Sequence, residues 1–348
     1  MESSSTFPFV TSPPLPADWE QLYQNRSILV TGGLGFIGSN LSLRLVELGA
    51  RVTIVDSLIP DYGGNPWNVE KIKDRININI ADVRDPHSIA RLVQGQDIIF
   101  NLAGQVSHID SMRDPFTDLE INCRSQLSIL EACRNNNSNV KIIYAGTRQQ
   151  YGKPQYLPVD EKHLVLPTDV NGINKTAGET YHILYNNVHG IRATSLRMTN
   201  TYGPRLLLKH NRQGFISVFL RTAIEKGEIK IFGTGEQLRD LNYVDDATDA
   251  FLRVGVAEWT NGEVYNLGGD EILSVAAIAQ KIIKTAGAGR LSIVPFPEET
   301  RRIDIGSYYG SYQKLREAVG WRPLIDADEG FQRTVDYYRE NISHYVED

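Results

Sequence analysis

Two short stretches carry side chains whose types and spacing can do chemistry. In NGINKTAGE, an amide, Asn171, precedes an amine, Lys175, by four residues, about one turn of a helix. An amide has no titratable proton near neutral pH, so Asn171 can only orient a substrate or a water. Lys175 can act as a base if burial lowers its pKa. In TGGLGFIGS, Gly32, Gly35 and Gly38, with Phe36 and Ile37 between them, let the backbone turn tightly, approach a pyrophosphate and open a helix whose N-terminus faces that anion. The next strand ends in Asp56, a carboxylate placed to accept both ribose hydroxyls of NAD and to repel the 2′-phosphate of NADP.

Further along, Asp82 and Val83 follow a third strand, placed either to meet the adenine or simply to cap the strand end. After a fourth strand, NLAGQVSH brings Leu102 and the small Ala103 and Gly104, which either let the backbone pass close to the cofactor or make an ordinary tight turn. Arg239 has Asp240 and Asp245 at hand as ion-pair partners.

These side chains need a scaffold, and the hydrophobic pattern supplies one. From Ser27, apolar runs such as SILVTG, RVTIVD, DIIFNLAG and KIIYAG alternate with helical patterns such as SNLSLRLVEL and LSILEACR. That alternation predicts an α/β fold, a Rossmann-type doubly wound parallel sheet with helices on both faces. Residues 1–24 read as a flexible tail that ends in a short docking helix, 25–200 as mainly the NAD-binding domain, and 201–348 as mainly a smaller C-terminal α/β substrate-binding cap with segments crossing back.

The chain has 348 residues, 41% hydrophobic and 22% charged, with a formal net charge of −6 and scattered cations, which argues against nucleic acid or an anionic membrane as partner. No apolar run approaches the roughly 18 residues of a membrane span, and the N-terminus lacks a signal-peptide pattern, so a cytoplasmic location is expected. Cys123 and Cys133 are the only cysteines and have no metal-ligand spacing, so they read as reduced thiols and no metal is expected.

Taken together, TGGLGFIGS, DVRD, NLAGQVSHIDS, EIN, YAGTRQQYG, NGINK, TNTYGPR, GEQLRDLNYVDD, YNLGG and GWRP resemble, in order, the signatures of the extended short-chain dehydrogenases, specifically the NAD-dependent nucleotide-sugar epimerase and dehydratase branch. LAGQV, EIN and IIYAGT look most like CDP-tyvelose 2-epimerase; SHIDS is similar to the dTDP-glucose 4,6-dehydratases. The resemblance implies NAD as cofactor, a nucleotide-diphosphate sugar as substrate, and a homodimer built on the helices containing SQLSILEACR and KTAGETYHILYN. It implies that Thr147 hydrogen-bonds the sugar hydroxyl being oxidised, that Lys175 binds the nicotinamide ribose, that Asn200 contacts the substrate phosphates, and that Arg239 and one of Arg301 and Arg302 hold the diphosphate.

The resemblance also implies a tyrosine base four residues before the lysine, where this chain has Asn171. General-base help is worth roughly 10²- to 10⁴-fold, so another group is expected to act: Lys175 or a water held by Asn171 first, Tyr151 beside Thr147 second, and His108 third. His182 shares the helical face of Asn171 but lies about 16 Å farther along the axis. The dehydratases follow the Thr with Asp-Glu, whereas Arg148 and Gln149 follow Thr147 here. An epimerase is therefore the leading expectation. The alternatives are a dehydrogenase, decarboxylase or mutase that needs no Tyr base, with Arg148 holding a sugar carboxylate, and a binding protein that has lost turnover.

Overall fold

The computed structural model describes residues 13–60, 62–210 and 214–346. The tail expected over the first residues therefore lies, up to residue 12, outside the described residues. From there the chain docks: a short 3-10 turn, Trp19–Tyr23, buries both aromatics, and the Tyr23 hydroxyl donates to the carbonyl of Leu252 at 2.6 Å.

Val- and Ile-rich runs shielded on both faces make parallel strands. Six parallel strands are β1 (Ser27–Thr31), β2 (Arg51–Asp56), β3 (Asn77–Ile80), β4 (Ile98–Asn101), β5 (Lys141–Thr147) and β6 (Arg192–Met198), of which β3, at the sheet edge, is mostly exposed. The cap contributes β7 (Asn200–Tyr202), β8 (Glu228–Phe232), β9 (Leu238–Tyr243), β10 (Val264–Asn266), β11 (Ile272–Ser274) and β12 (Arg290–Val294). The large sheet has seven strands in the order β10-β6-β5-β4-β1-β2-β3, all parallel. Strand succession reverses between β1 and β4, and ligands of such sheets sit in the crevice at that switch, outside the carboxyl ends of the strands. The glycine stretch and NLAG leave from those two ends.

The cap holds a three-stranded sheet, β11-β9-β7, and a parallel pair, β12-β8. Its own core gathers Phe219, Leu220, Ile231, Phe331 and Tyr338. The chain also crosses back. The helix Val244–Val256 buries Phe251 edge-to-face on Phe100 of β4, ring centroids 6.4 Å apart, and β10 then extends the large sheet. Burial of one such phenylalanine stabilises by about 1.5–3 kcal/mol.

The helix that carries Asn171 and Lys175 runs Val170–His189. The Asp169 side chain caps its start by accepting the Gly172 N–H at 2.7 Å, and Gly190, with φ 71°, ends it in the left-handed conformation that a side chain disfavours.

Candidate functional site

A cleft of ≈ 330 Å³ opens at the switch point, walled by the glycine stretch, the ends of β2 and β4, and the turn after β5. At one end, Gly32 has φ 66°, and a Cβ there would lie 3.0 Å from the Ala103 backbone, so the first turn and the loop after β4 touch only because this residue is glycine. A Cβ at Gly38 would come within 2.3 Å of the Gly32 carbonyl, which fixes how closely helix Phe36–Glu47 returns on the loop. Gly35 starts that helix without a side-chain cap, leaving its first N–H groups to face the cleft. Phe36 and Ile37 line the same wall.

Asp56 accepts the N–H of Leu34 at 3.1 Å and of Leu58 at 3.0 Å, one on each oxygen; burial pushes its pKa up although both bonds oppose the shift. Each oxygen keeps a lone pair for a ribose hydroxyl. Asp82 and Val83 also line the cleft. The Arg84 side chain clasps the Asp82 carboxylate through three bonds, the shortest 2.6 Å, and holds its pKa down. Leu102 and Ala103 both donate their N–H to the Thr31 hydroxyl at 3.0 Å, which pins the backbone after β4. An open-ended helix, a bare glycine cradle and an anchored carboxylate at the next strand end together fit a dinucleotide.

At the other end, Thr147 closes β5 and its hydroxyl accepts the Gln149 N–H at 3.3 Å. The next side chains are committed: Arg148 donates to Asn200 Oδ1 at 2.9 Å, and Gln149 donates to Asp169 at 2.8 Å. Asn200 in turn donates to the carbonyl of Asp240 at 3.0 Å, so one amide ties Arg148 to β9. Arg148, Asn200, Thr147 and His108 all line the cleft. His108 starts the helix His108–Arg113, with Nδ1 2.9 Å from Oδ2 of the buried Asp169.

Arg239 stands just behind this wall. It takes neither Asp240 nor Asp245 as partner; Nη1 donates to the carbonyls of Leu238 at 2.8 Å and Gly306 at 2.5 Å, and Asp304 stands 3.9 Å away. Its buried Nε finds no partner, and desolvation, joined by the neighbouring Arg148 cation, lowers its pKa to about 10. Two guanidiniums held together, with Asp304 as the one carboxylate ion-paired to either among the described residues, favour an anion.

Asn171 is 3% exposed and lies outside the cleft wall. Its Nδ2 donates to the Gln105 carbonyl at 2.8 Å and to Asp118 Oδ2 at 3.1 Å. Asn122 and Asn174 also donate to Asp118, at 3.0 and 2.7 Å, so three amides cage one buried carboxylate whose pKa burial raises. Lys175 lies behind Gly104: a Cβ on that glycine would be 3.7 Å from Nζ and 2.9 Å from Asn122 Oδ1. Its ammonium sits 4.6 Å over the Tyr144 ring, and burial lowers its pKa to about 8 against the fields of Asp118 and Glu179.

Three expectations are corrected. Tyr151 does not border the cleft: it is 1% exposed, its hydroxyl donates to Asn266 at 2.7 Å, and burial drives its pKa to about 12, so it is a core residue and no proton acceptor. Arg301 and Arg302 are exposed on the short helix Glu298–Ile303, outside the cleft wall, with Arg302 paired to Glu298 at 3.0 Å. A water held toward the cleft by the Asn171 amide is also disfavoured, because Asn171 is buried outside the cleft wall and its Nδ2 is spent on Gln105 and Asp118. His182 is fully buried and donates its Nδ1–H to the Gly178 carbonyl, away from the cleft as its helical offset required. Sequence reading missed Asp118, Gln105 and Asp169; only Asn122 carried a signal, in EIN, and an Asp placed directly before a helix start was the available clue to Asp169.

The chain is similar to known proteins over most of its length. Residues 28–268 match the NAD dependent epimerase/dehydratase family. A UDP-glucose 4-epimerase of Mycolicibacterium smegmatis is 30% identical over 314 residues, 89% of this chain and 98% of its own. A UDP-N-acetyl-alpha-D-glucosaminuronate decarboxylase of Bacillus cytotoxicus is 30% identical over 320 residues, 90% of this chain and 97% of its own. Among solved structures, UDP-glucose 4-epimerase of Thermotoga maritima with UDP-glucose superposes with a TM-score of 0.83 at 29% identity, covering 91% of this chain and 99% of that one. With the dinucleotide cradle at the switch point and the family signature running through both lobes, the chain belongs to the NAD-dependent epimerase/dehydratase family, and NAD is its cofactor.

Proposed function

We propose that the protein epimerises a nucleotide-diphosphate sugar. Bound NAD supplies a reversible hydride acceptor for the sugar carbon. Gly32, Gly35, Phe36, Ile37, Gly38, Asp56, Asp82, Val83, Leu102, Ala103 and Gly104 would hold it, with Lys175 reaching the nicotinamide ribose past Gly104. Thr147 orients the reacting hydroxyl, and Arg148 with Asn200 and Arg239 faces the charged part of the substrate.

One observation carries the choice of reaction. The turn after Thr147 contains no acid: Arg148 is bound to Asn200 and Gln149 to Asp169, so the carboxyl pair that would eliminate water is missing there while Thr147 and Lys175 remain. A proton NMR time course against UDP, GDP, CDP and dTDP sugars tests this. A new anomeric signal without net NADH is the expected result; net NADH, or no isomer from any sugar, would overturn it. A second reading rests on Arg148, which pairs with no carboxylate among the described residues and would suit a uronic acid; release of carbon dioxide would establish it instead.

A homodimer is supported by Ile173, Leu184 and Val188, which are 54%, 48% and 63% exposed on nearly one side of helix Val170–His189. Ile173→Glu with Leu184→Glu is expected to give a monomer by light scattering. A cytoplasmic location agrees with two free thiols and with the finding that no described helix is long and apolar enough to cross a membrane.

A further inference from the structure

Oxidation of a sugar hydroxyl requires somewhere for its proton to go, and the amide at 171 cannot take it. The groups that line the cleft and can change charge or carry a proton are Asp56, Tyr62, Asp82, His108 and Arg148. Asp56 and Asp82 stand at the ends of β2 and β3, beside the glycine cradle. Tyr62 follows β2 at that same end and lines the cleft there. A guanidinium has no accessible neutral form. His108 is what remains on the Thr147 side.

Its surroundings are those of an oriented imidazole. Nδ1 lies 2.9 Å from Asp169 Oδ2, a distance that suits a hydrogen bond although the ring is turned off the in-line direction. The carboxylate is fully buried on its own side and cannot swing away, because the Gly172 N–H at 2.7 Å and Gln149 Nε2 at 2.8 Å hold both oxygens. Burial alone would raise the pKa of Asp169; His108 first, then the Gly172 N–H and Gln149, keep it below the ordinary value. The imidazole side chain is 36% exposed and forms part of the cleft wall. A buried carboxylate behind a histidine fixes its tautomer and stabilises the imidazolium that forms when the other nitrogen takes a proton.

We propose that His108, positioned by Asp169, is the proton acceptor for the sugar hydroxyl; this rests on the epimerase reading above. As the O–H bond breaks, its proton passes to His108 Nε2 while the hydrogen on the same carbon leaves with its electron pair to the nicotinamide ring, and a ketone remains. Both return in the reverse step, so nothing is consumed. The charged groups near the imidazole are Asp169, which caps the long helix, and Asp110 on its own short helix, with Arg148 of the turn after β5 lining the same cleft. Lys175 is less suited, since it sits behind Gly104 over Tyr144, outside the cleft wall.

The test compares the full-length wild type, His108→Gln and His108→Gly on whichever sugar the wild type isomerises. The expected results are a 10²- to 10⁴-fold fall in kcat for both variants, NAD and sugar-nucleotide affinity by calorimetry within a factor of about three of the wild type, and recovery of His108→Gly by added imidazole. The decline of wild-type kcat/KM on acidification should vanish in His108→Gln. Equal turnover by wild type and His108→Gln, or an unchanged acid limb, overturns the assignment and leaves the epimerase reading standing. Absence of isomerisation by the wild type overturns the epimerase reading and this one with it.

Discussion

A buried carboxylate is costly unless several donors meet it, and Asp118 has three amides from two helical segments. Asn171 is one of those donors, so the position is occupied by structure and is no simple gap. Asn171→Tyr must place a phenol where 3% of the residue is exposed and must remove a donor from that carboxylate. We expect a loss of about 2 kcal/mol or more, read as a lower denaturant midpoint, and no gain in turnover; a variant as stable as the parent would show that the cage does not hold the site. The asparagine itself was legible in the sequence, and so was its lack of a titratable proton. Its partners were not: Asp118 and Gln105 lie 53 and 66 residues away, and only tertiary folding brings them together. Tyr151 failed for the converse reason, since a tyrosine beside Thr147 looks available until burial and Asn266 are known.

Among the elements, the strand-turn-helix from β1 through Phe36–Glu47 was legible because every determinant is local: an apolar strand, three glycines and a helix start. Gly38→Ala tests how tightly this element is built. Its Cβ would meet backbone at 2.3 Å, which no side-chain rotation relieves, so the loop must open. Calorimetry is expected to show NAD affinity reduced at least tenfold, with the melting temperature also lower. The cap was harder to read. Its sheet pairs β7 with β9 in parallel and β11 with β9 antiparallel, a mixed order that no single periodicity announces. Arg301 and Arg302 illustrate the result: their charge was visible, but the helix Glu298–Ile303 buries none of its residues and turns them outward.

For the molecule as a whole, the pH dependence of stability follows from lysines enclosed by the fold. Lys141, at the start of β5, donates to the Ala257 carbonyl at 2.6 Å, and burial lowers its pKa to about 7. Lys175 is lowered to about 8 for the same reason. Unfolding returns both toward about 10.5, so the unfolded chain binds more protons across that interval and stability rises with pH. From pH 7 to 9 each should add on the order of 1 kcal/mol per pH unit once above its folded pKa. In Lys141→Met, chemical denaturation should show a flatter rise, and an unchanged slope would contradict the shift. The doubly wound sheet was foreseen from alternation, but the return of β10 to its far edge was not, because VYN is too short to declare a strand.

That return has a mechanical meaning. The chain leaves the large sheet after Met198, comes back through Val244–Val256 and β10, and leaves again, while Asn200 grips Arg148 on one side and the Asp240 carbonyl on the other. A molecule stitched in this way has no seam along which one half can be peeled from the other. A protease nick in the stretch between Gly203 and Phe215 should leave the fragments associated, and heating should melt them in one transition. Ligand held by both lobes would then report its arrival to the entire body at once.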